Sequence, residues 1–209
     1  MLRIEIAGRW SAKDFADYYE SLDALYSLFA VVTIEQDSAH EFERFYRDFL
    51  EFYPGPKMPR RYRYFLGMQR GLGGMGHTPI DASKFRDAAA LLDADERLSV
   101  RRCEYASPGA TDFTGIGQAL GHLKDVVLKC IDVWVNHDER KIKNQILEQE
   151  RDAAALKNVR ERLSVLKELG YSDSQCRQIL AAVSPAVAKL EALAQRGLIT
   201  NASTPQNNG

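Results

Sequence analysis

The chain lacks a charge excess, a cysteine framework and a long hydrophobic run, and each absence removes a class of function. Its 28 Lys and Arg against 29 Asp and Glu leave a formal net charge of −1. That gives no electrostatic case for nucleic acid or an anionic membrane as an obligate partner. The three cysteines, Cys103, Cys130 and Cys176, are odd in number and far apart. This usage fits a reducing compartment better than a disulfide scaffold. The N-terminus, Met1-Leu2-Arg3-Ile4-Glu5-Ile6, has no apolar core of a secretion signal. The longest apolar run, around Val126 to Val135, is interrupted by Lys129 and Asp132 and lacks the length to span a bilayer. A cytoplasmic location is the expectation.

Catalytic and metal signatures are also wanting. His40, His77, His122 and His137 show no ligand spacing with one another or with cysteine. No Ser/His/Asp or Cys/His set assembles from local motifs, and no Walker-type GK[ST] is present. No metal and no cofactor are expected, catalytic residues cannot be assigned, and the reading leans away from an enzyme.

What is present is an ordinary globular composition, 45% apolar and 27% charged, over a length that holds one good core plus an appendage. Leu2, Ile4 and Ile6 alternate with polar neighbours and predict a half-buried strand closed by Gly8. Ser11-Ala12-Lys13-Asp14 reads as a capping box with Asp in place of Glu. The helix it opens carries Phe15, Tyr18, Leu22, Leu25, Tyr26 and Phe29. Ser38 is expected to cap a second helix with Phe42, Phe45, Tyr46, Phe49 and Leu50, stopped by Pro54-Gly55-Pro56. A strand is expected over Tyr62–Met68, a glycine loop over Gly71–Pro79, a short helix over Asp81–Leu92 and a strand over Leu98–Tyr105. Ser107-Pro108-Gly109 has type II turn chemistry. A long core helix then starts at Asp112 or Thr114. It sets His122, Asp125, Lys129, Asp132 and Asn136 on a polar stripe, opposite Leu120, Leu123, Val127, Ile131 and Trp134, with Val126, Cys130 and Val133 widening the buried face. Gly117 and Gly121, four apart, suggest close packing on one face of it.

The character changes at Asn136-His137-Asp138. Beyond it the apolar residues thin to a seam, Ile142, Ile146, Ala153, Leu156, Val159, Leu163 and Leu166, near heptad spacing and surrounded by charges of both signs. A stripe that narrow needs another helix. Leu169-Gly170-Tyr171-Ser172 is a stop and restart, with Gly170 at a left-handed C′ position and Ser172-Asp173-Ser174-Gln175 as the next capping box. Pro185 is expected to open a last helix. Leu166 to Leu180 resembles the helix–loop–helix start of ubiquitin-associated domains and the linker before the dimer helix of MerR-type regulators. The likeness is a glycine stop plus a serine cap, and no function is carried over from it.

These elements give an α+β fold, predominantly helical with a small sheet, followed by a C-terminal helical arm or hairpin with a short coiled-coil-like seam. The expected division is 1–136 globular, 137–200 arm and hairpin, and 201–209 a disordered tail. The leading functional expectation is a non-enzymatic assembly or adaptor protein, self-associating or docking a partner protein through the seam Ile142, Ile146, Leu156, Val159, Leu163 and Leu166. The competing account of that seam is intramolecular, with the last two helices folding back on it. The second functional expectation is a nucleotide or phosphate-ligand sensing module. Its residues would be Arg60, Arg61, Arg63 and Arg70 of a basic, aromatic stretch, with Arg101, Ser107, Gly109, Gly115 and Gly117 around a strand–turn–helix whose N–H groups could cradle an anion. Gly71-Leu72-Gly73-Gly74-Met75-Gly76 matches GxGxxG, but His77-Thr78-Pro79 follows where a dinucleotide fold needs a helix. Partners are therefore a protein or a second copy and no membrane. Nucleic acid is disfavoured by the charge balance and left open only at the basic stretch.

Overall fold

The computed structural model describes residues 1–51, 79–135, 157–161 and 163–204, with side chains of 42–51 and 133–135 excluded. The order is β1 (Leu2–Ile6), α1 (Ala12–Glu51), a 3-10 helix (Ala82–Leu91), β2 (Ser99–Glu104), β3 (Gly109–Thr114), α2 (Gly117–Val135), α3 (Val165–Glu168), α4 (Asp173–Gln195) and β4 (Ile199–Ser203). The fold class is α+β. The sheet runs β2-β3-β1-β4, and each of its pairings is antiparallel. Alternation along β1 turns Leu2, Ile4 and Ile6 inward, where all three are buried with Phe113 of β3 and Ala202 of β4. The opposite face carries Arg3 across from Asp112, joined by two bonds of 2.7 and 2.8 Å from the guanidinium to the carboxylate.

One core serves both ends of the chain. Tyr18, Leu22, Leu25, Tyr26 and Phe29 of α1 are buried against α2 and α4, and α4 contributes Ile179, Leu180, Val183, Val187 and Leu190. The start of α1 is fixed by the expected capping box. The Ser11 N–H donates to Asp14 Oδ2 at 2.9 Å, and the Asp14 N–H donates to Ser11 Oγ at 3.1 Å. Arg196, just past the end of α4, then forks onto the same carboxylate at 2.5 and 3.1 Å. An anion at one helix start thus meets a cation at another helix end, the arrangement both dipoles favour.

These bonds, led by that from Arg196, hold the Asp14 carboxyl well below the usual carboxylate range. A depressed folded value means the stabilisation is present above the unfolded value, about 3.9, and is lost as pH falls from there toward the folded value. The gap in urea midpoint between wild type and Asp14→Asn is therefore expected to be widest at neutral pH and to narrow below about pH 4. A gap that stays constant across an acid series contradicts the assignment.

Several boundaries differ from expectation. Ser38 starts no helix; it is half-buried inside the continuous α1, whose described buried residues run from Asp14 to Glu35. Pro185 likewise lies inside α4. One residue before it, the Ser184 hydroxyl donates to the Leu180 carbonyl at 2.9 Å, a bond back to the preceding turn. The helix expected over Asp81–Leu92 is a 3-10 helix, capped by Asp81. The long core helix begins at Gly117, not at Asp112 or Thr114. Residues 109–114 form β3, because this stretch completes the sheet between β1 and β2. Gly109 already belongs to β3 and lacks the positive φ a type II turn needs, so that turn is not the one adopted. Among the described residues nothing lies within 4 Å of a Cβ at Gly117 or Gly121, so the close packing expected there is not seen among them.

The tail expectation also fails at its start, since 199–203 form β4, paired with β1. A Schellman stop makes this possible. Gly197 has φ of 67° and donates to the Ala194 carbonyl, while Leu198 donates back to Leu193, turning the chain onto the sheet edge. The same motif ends α3 at Gly170 (φ 91°), with Tyr171 donating to Leu166, as the glycine stop predicts. The strand expected over Tyr62–Met68, the glycine loop before Pro79, and the side chains of Phe42, Phe45, Tyr46, Phe49, Leu50, Val133 and Trp134 lie outside the described residues.

Candidate interaction surface

The seam was expected to seek a partner from a projecting arm. Its described members do not project: Val159, Leu163 and Leu166 are buried in the common core, at 0%, 4% and 0% exposure. Ile142, Ile146, Ala153 and Leu156 lie outside the described residues. The described part of 137–200 thus packs with the N-terminal part instead of standing apart, because α4 lies along α1 and β4 pairs with β1. Lys189 of α4 reinforces the contact, bonding Asp17 at 2.9 Å and Glu20 at 3.0 Å on α1.

The anion cradle is also altered. Arg60, Arg61, Arg63 and Arg70, with the GxGxxG loop, lie outside the described residues. Arg101 is exposed on β2, and Ser107 Oγ accepts the Gly8 N–H at 3.3 Å. Gly109 is required by the hairpin itself, since a Cβ there would collide with the Glu104 and Ala106 backbone. Gly115 faces the Tyr26 ring, which leaves no room for a side chain. The Tyr26 hydroxyl accepts the Ile116 N–H at 2.7 Å and donates to the Glu96 carbonyl at 2.7 Å. Just before the α2 start, where a phosphate was expected, a tyrosine from α1 takes the Ile116 N–H. Gly117 stays open.

A cleft of about 220 Å³ lies between α1, α2 and residues 161–165, lined by Phe29, Thr33, Gln36, Gln118, His122 and Glu161 among others. Its polar groups are neutral amides and hydroxyls with one imidazole and one carboxylate, which do not converge on a reaction type. Among the described residues no three His, Cys, Asp or Glu side chains gather as a metal site.

The feature that does stand out is β2. All six of its residues are exposed, and no described strand pairs with its outer edge. Its apolar side chains find little cover: Val100 is 50% exposed, and Tyr105, next after the strand, is 59% exposed. Around them lies an aromatic shelf. Trp10 stacks on Phe15 at 4.9 Å, Phe15 on Tyr19 at 6.4 Å, and Tyr105 stands edge-on to Phe15 at 5.4 Å. Hydrogen bonds fix the shelf in place. The Trp10 indole donates to the Ala7 carbonyl at 2.9 Å, and the Trp10 N–H donates to the Tyr105 hydroxyl at 3.3 Å. The Tyr19 hydroxyl donates to Cys103 Sγ at 3.4 Å, and burial, more than this bond, pushes Tyr19 up to about 12. An edge that no described strand pairs, beside fixed aromatic rings, is the kind of surface on which strand addition finds main-chain hydrogen bonds and side-chain anchors together.

Sequence reading misses this surface. Trp10 and Tyr105 belong to no local motif, and the residues of β3, which carries β2, read as a helix start. The available signal is Thr111, Phe113 and Thr114, β-branched and aromatic residues directly after a turn.

The architecture is that of a small antiparallel sheet layered on helices, in a chain none of whose described helices is long and apolar enough to cross a membrane. Comparison of the chain with protein-family models, with curated proteins and with solved structures gives no match.

Proposed function

We propose that the chain is a non-enzymatic assembly protein, and that it docks a partner protein by strand addition at β2. The observation that carries the reading is an edge strand exposed over its whole length next to the shelf of Trp10, Phe15, Tyr19 and Tyr105. We place the docking element at β2 because, of the C-terminal seam, Val159, Leu163 and Leu166 are already buried inside the chain, while Ile142, Ile146 and Leu156 lie outside the described residues. At the α2 start the Tyr26 hydroxyl takes one of the N–H groups a phosphate would use, that of Ile116, so we rank the phosphate-sensing reading second.

The test is the size of the full chain in gently opened cells that make it. It is expected to run in an assembly well above its own 23.6 kDa. Val100→Asp, at a half-exposed strand position where residue preferences span about 1 kcal/mol, should leave the chain cooperatively folded and return it to its own mass. A wild-type chain running alone, or a variant that stays in the assembly, overturns the reading.

A further inference from the structure

We infer that the strand docked on β2 is the β2 of a second copy, paired antiparallel about a two-fold axis through Cys103. The inference rests on the docking reading of β2 given above.

Geometry restricts the register. Two copies joined edge to edge by antiparallel strands are related by an axis perpendicular to the sheet, so each keeps its inward face inward. Directly opposed residues then share a face, and the axis must pass through a residue, not between two. The irregularity between Val100 and Arg102 leaves Arg102, Cys103 and Glu104 as the regular stretch, aligned on Asp112, Thr111 and Ala110. Three centres use it. An axis through Arg102 places that guanidinium against its own copy. An axis through Glu104 does the same with carboxylates. Like charges directly opposed across strands are unfavourable.

An axis through Cys103 instead sets Arg102 opposite Glu104 of the copy, twice by symmetry. The two side chains already form an ion pair within one chain on the outer face, at 59% and 51% exposure, so both have charge to share with a neighbour. The row of charge along that face would then continue from Arg3 and Asp112 through Arg102 to the copy's Glu104. On the inward face the same axis brings the two Cys103 side chains together and sets the Tyr19 and Tyr105 rings of both copies on either side. Two four-stranded sheets become one continuous sheet, and both exposed β2 edges disappear.

Charge reversal reads the register directly. In native mass spectrometry of the purified full chain, wild type is expected as a dimer. Arg102→Glu opposes two carboxylates at each contact and Glu104→Arg opposes two guanidinium groups, so each variant alone should be monomeric, with circular dichroism unchanged. Mixed in equal amounts they should recombine into a heterodimer containing one of each, because every contact then sets a carboxylate of one variant against a guanidinium of the other. A monomeric wild type, dimers of either single variant, or a mixture that stays monomeric overturns the inference. A purified wild type that is monomeric while the same chain sits in a larger assembly in its cells overturns self-pairing and leaves docking at β2 standing. A chain alone in both settings removes both.

Discussion

Leu166→Asp is expected to leave no cooperatively folded protein. Leu166 is fully buried within the common core, between Leu163 and Leu169, and its carbonyl closes the Schellman turn that aims Tyr171 inward. Aspartate there removes the apolar side chain and strands an unpaired charge, a combination costing about 4 kcal/mol or more. Total stability of a domain is about 5–15 kcal/mol, so one such change consumes a large part of it. Urea titration followed by tryptophan fluorescence should show the cooperative transition lost or moved close to zero denaturant. The outcome also separates the two accounts of the seam. Residues that served only an intermolecular helix pair would lose an oligomer and keep a cooperative monomer. A folded Leu166→Asp monomer of unchanged midpoint would therefore remove Leu166 from the core and return the seam to partner binding.

The second large effect is expected at Glu35, a carboxylate 1% exposed in the middle of α1. The Tyr171 hydroxyl donates to both its oxygens at 2.9 and 2.7 Å, and the Ile80 N–H donates to Oε1 at 3.1 Å. Glu35 thus pins the segment before the 3-10 helix and the α3–α4 turn to the central helix with one side chain. Burial first, then the Glu35 charge, pushes the Tyr171 phenol far above its ordinary range, so it stays a donor at any pH the protein meets. Glu35→Ala leaves the Tyr171 and Ile80 donors buried without this acceptor and is expected to cost about 3 kcal/mol. Tyr171→Phe leaves the buried Glu35 carboxylate without this donor and should also cost about 2–3 kcal/mol. In the double variant the two losses should fall short of their sum, since both delete the same bond. Strictly additive unfolding free energies would mean that Tyr171 and Glu35 do not act through each other.

The two capping boxes and Gly170 can be read from the residues because their chemistry is local. Ser11 with Asp14 and Ser172 with Gln175 satisfy N–H groups three residues away, and a left-handed glycine ends a helix whatever lies beyond it. The alternation of β1 and the buried face of α2, with Leu120, Leu123, Val126, Val127 and Cys130 inside, are equally legible from periodicity. The α+β class follows from those elements.

Other features depend on what lies across the chain. Ser38 and Pro185 carry local helix-start signals, yet both sit inside helices, because tertiary packing of the long α1 and α4 overrides local preference. Asp112 reads as a helix cap until Arg3 is opposite it in the sheet. Tyr26 reads as core until its hydroxyl is found accepting the Ile116 N–H just before α2. The periodicity of Val159, Leu163 and Leu166 determined that they would be covered, since an apolar stripe on a folded helix faces away from water. Only the tertiary structure decided that their cover is this chain's own core, and that β2 lies exposed at the end of the described sheet. Backbone hydrogen-bonding groups on a strand are satisfied or not according to which strands lie beside it, and that order is set by long-range packing.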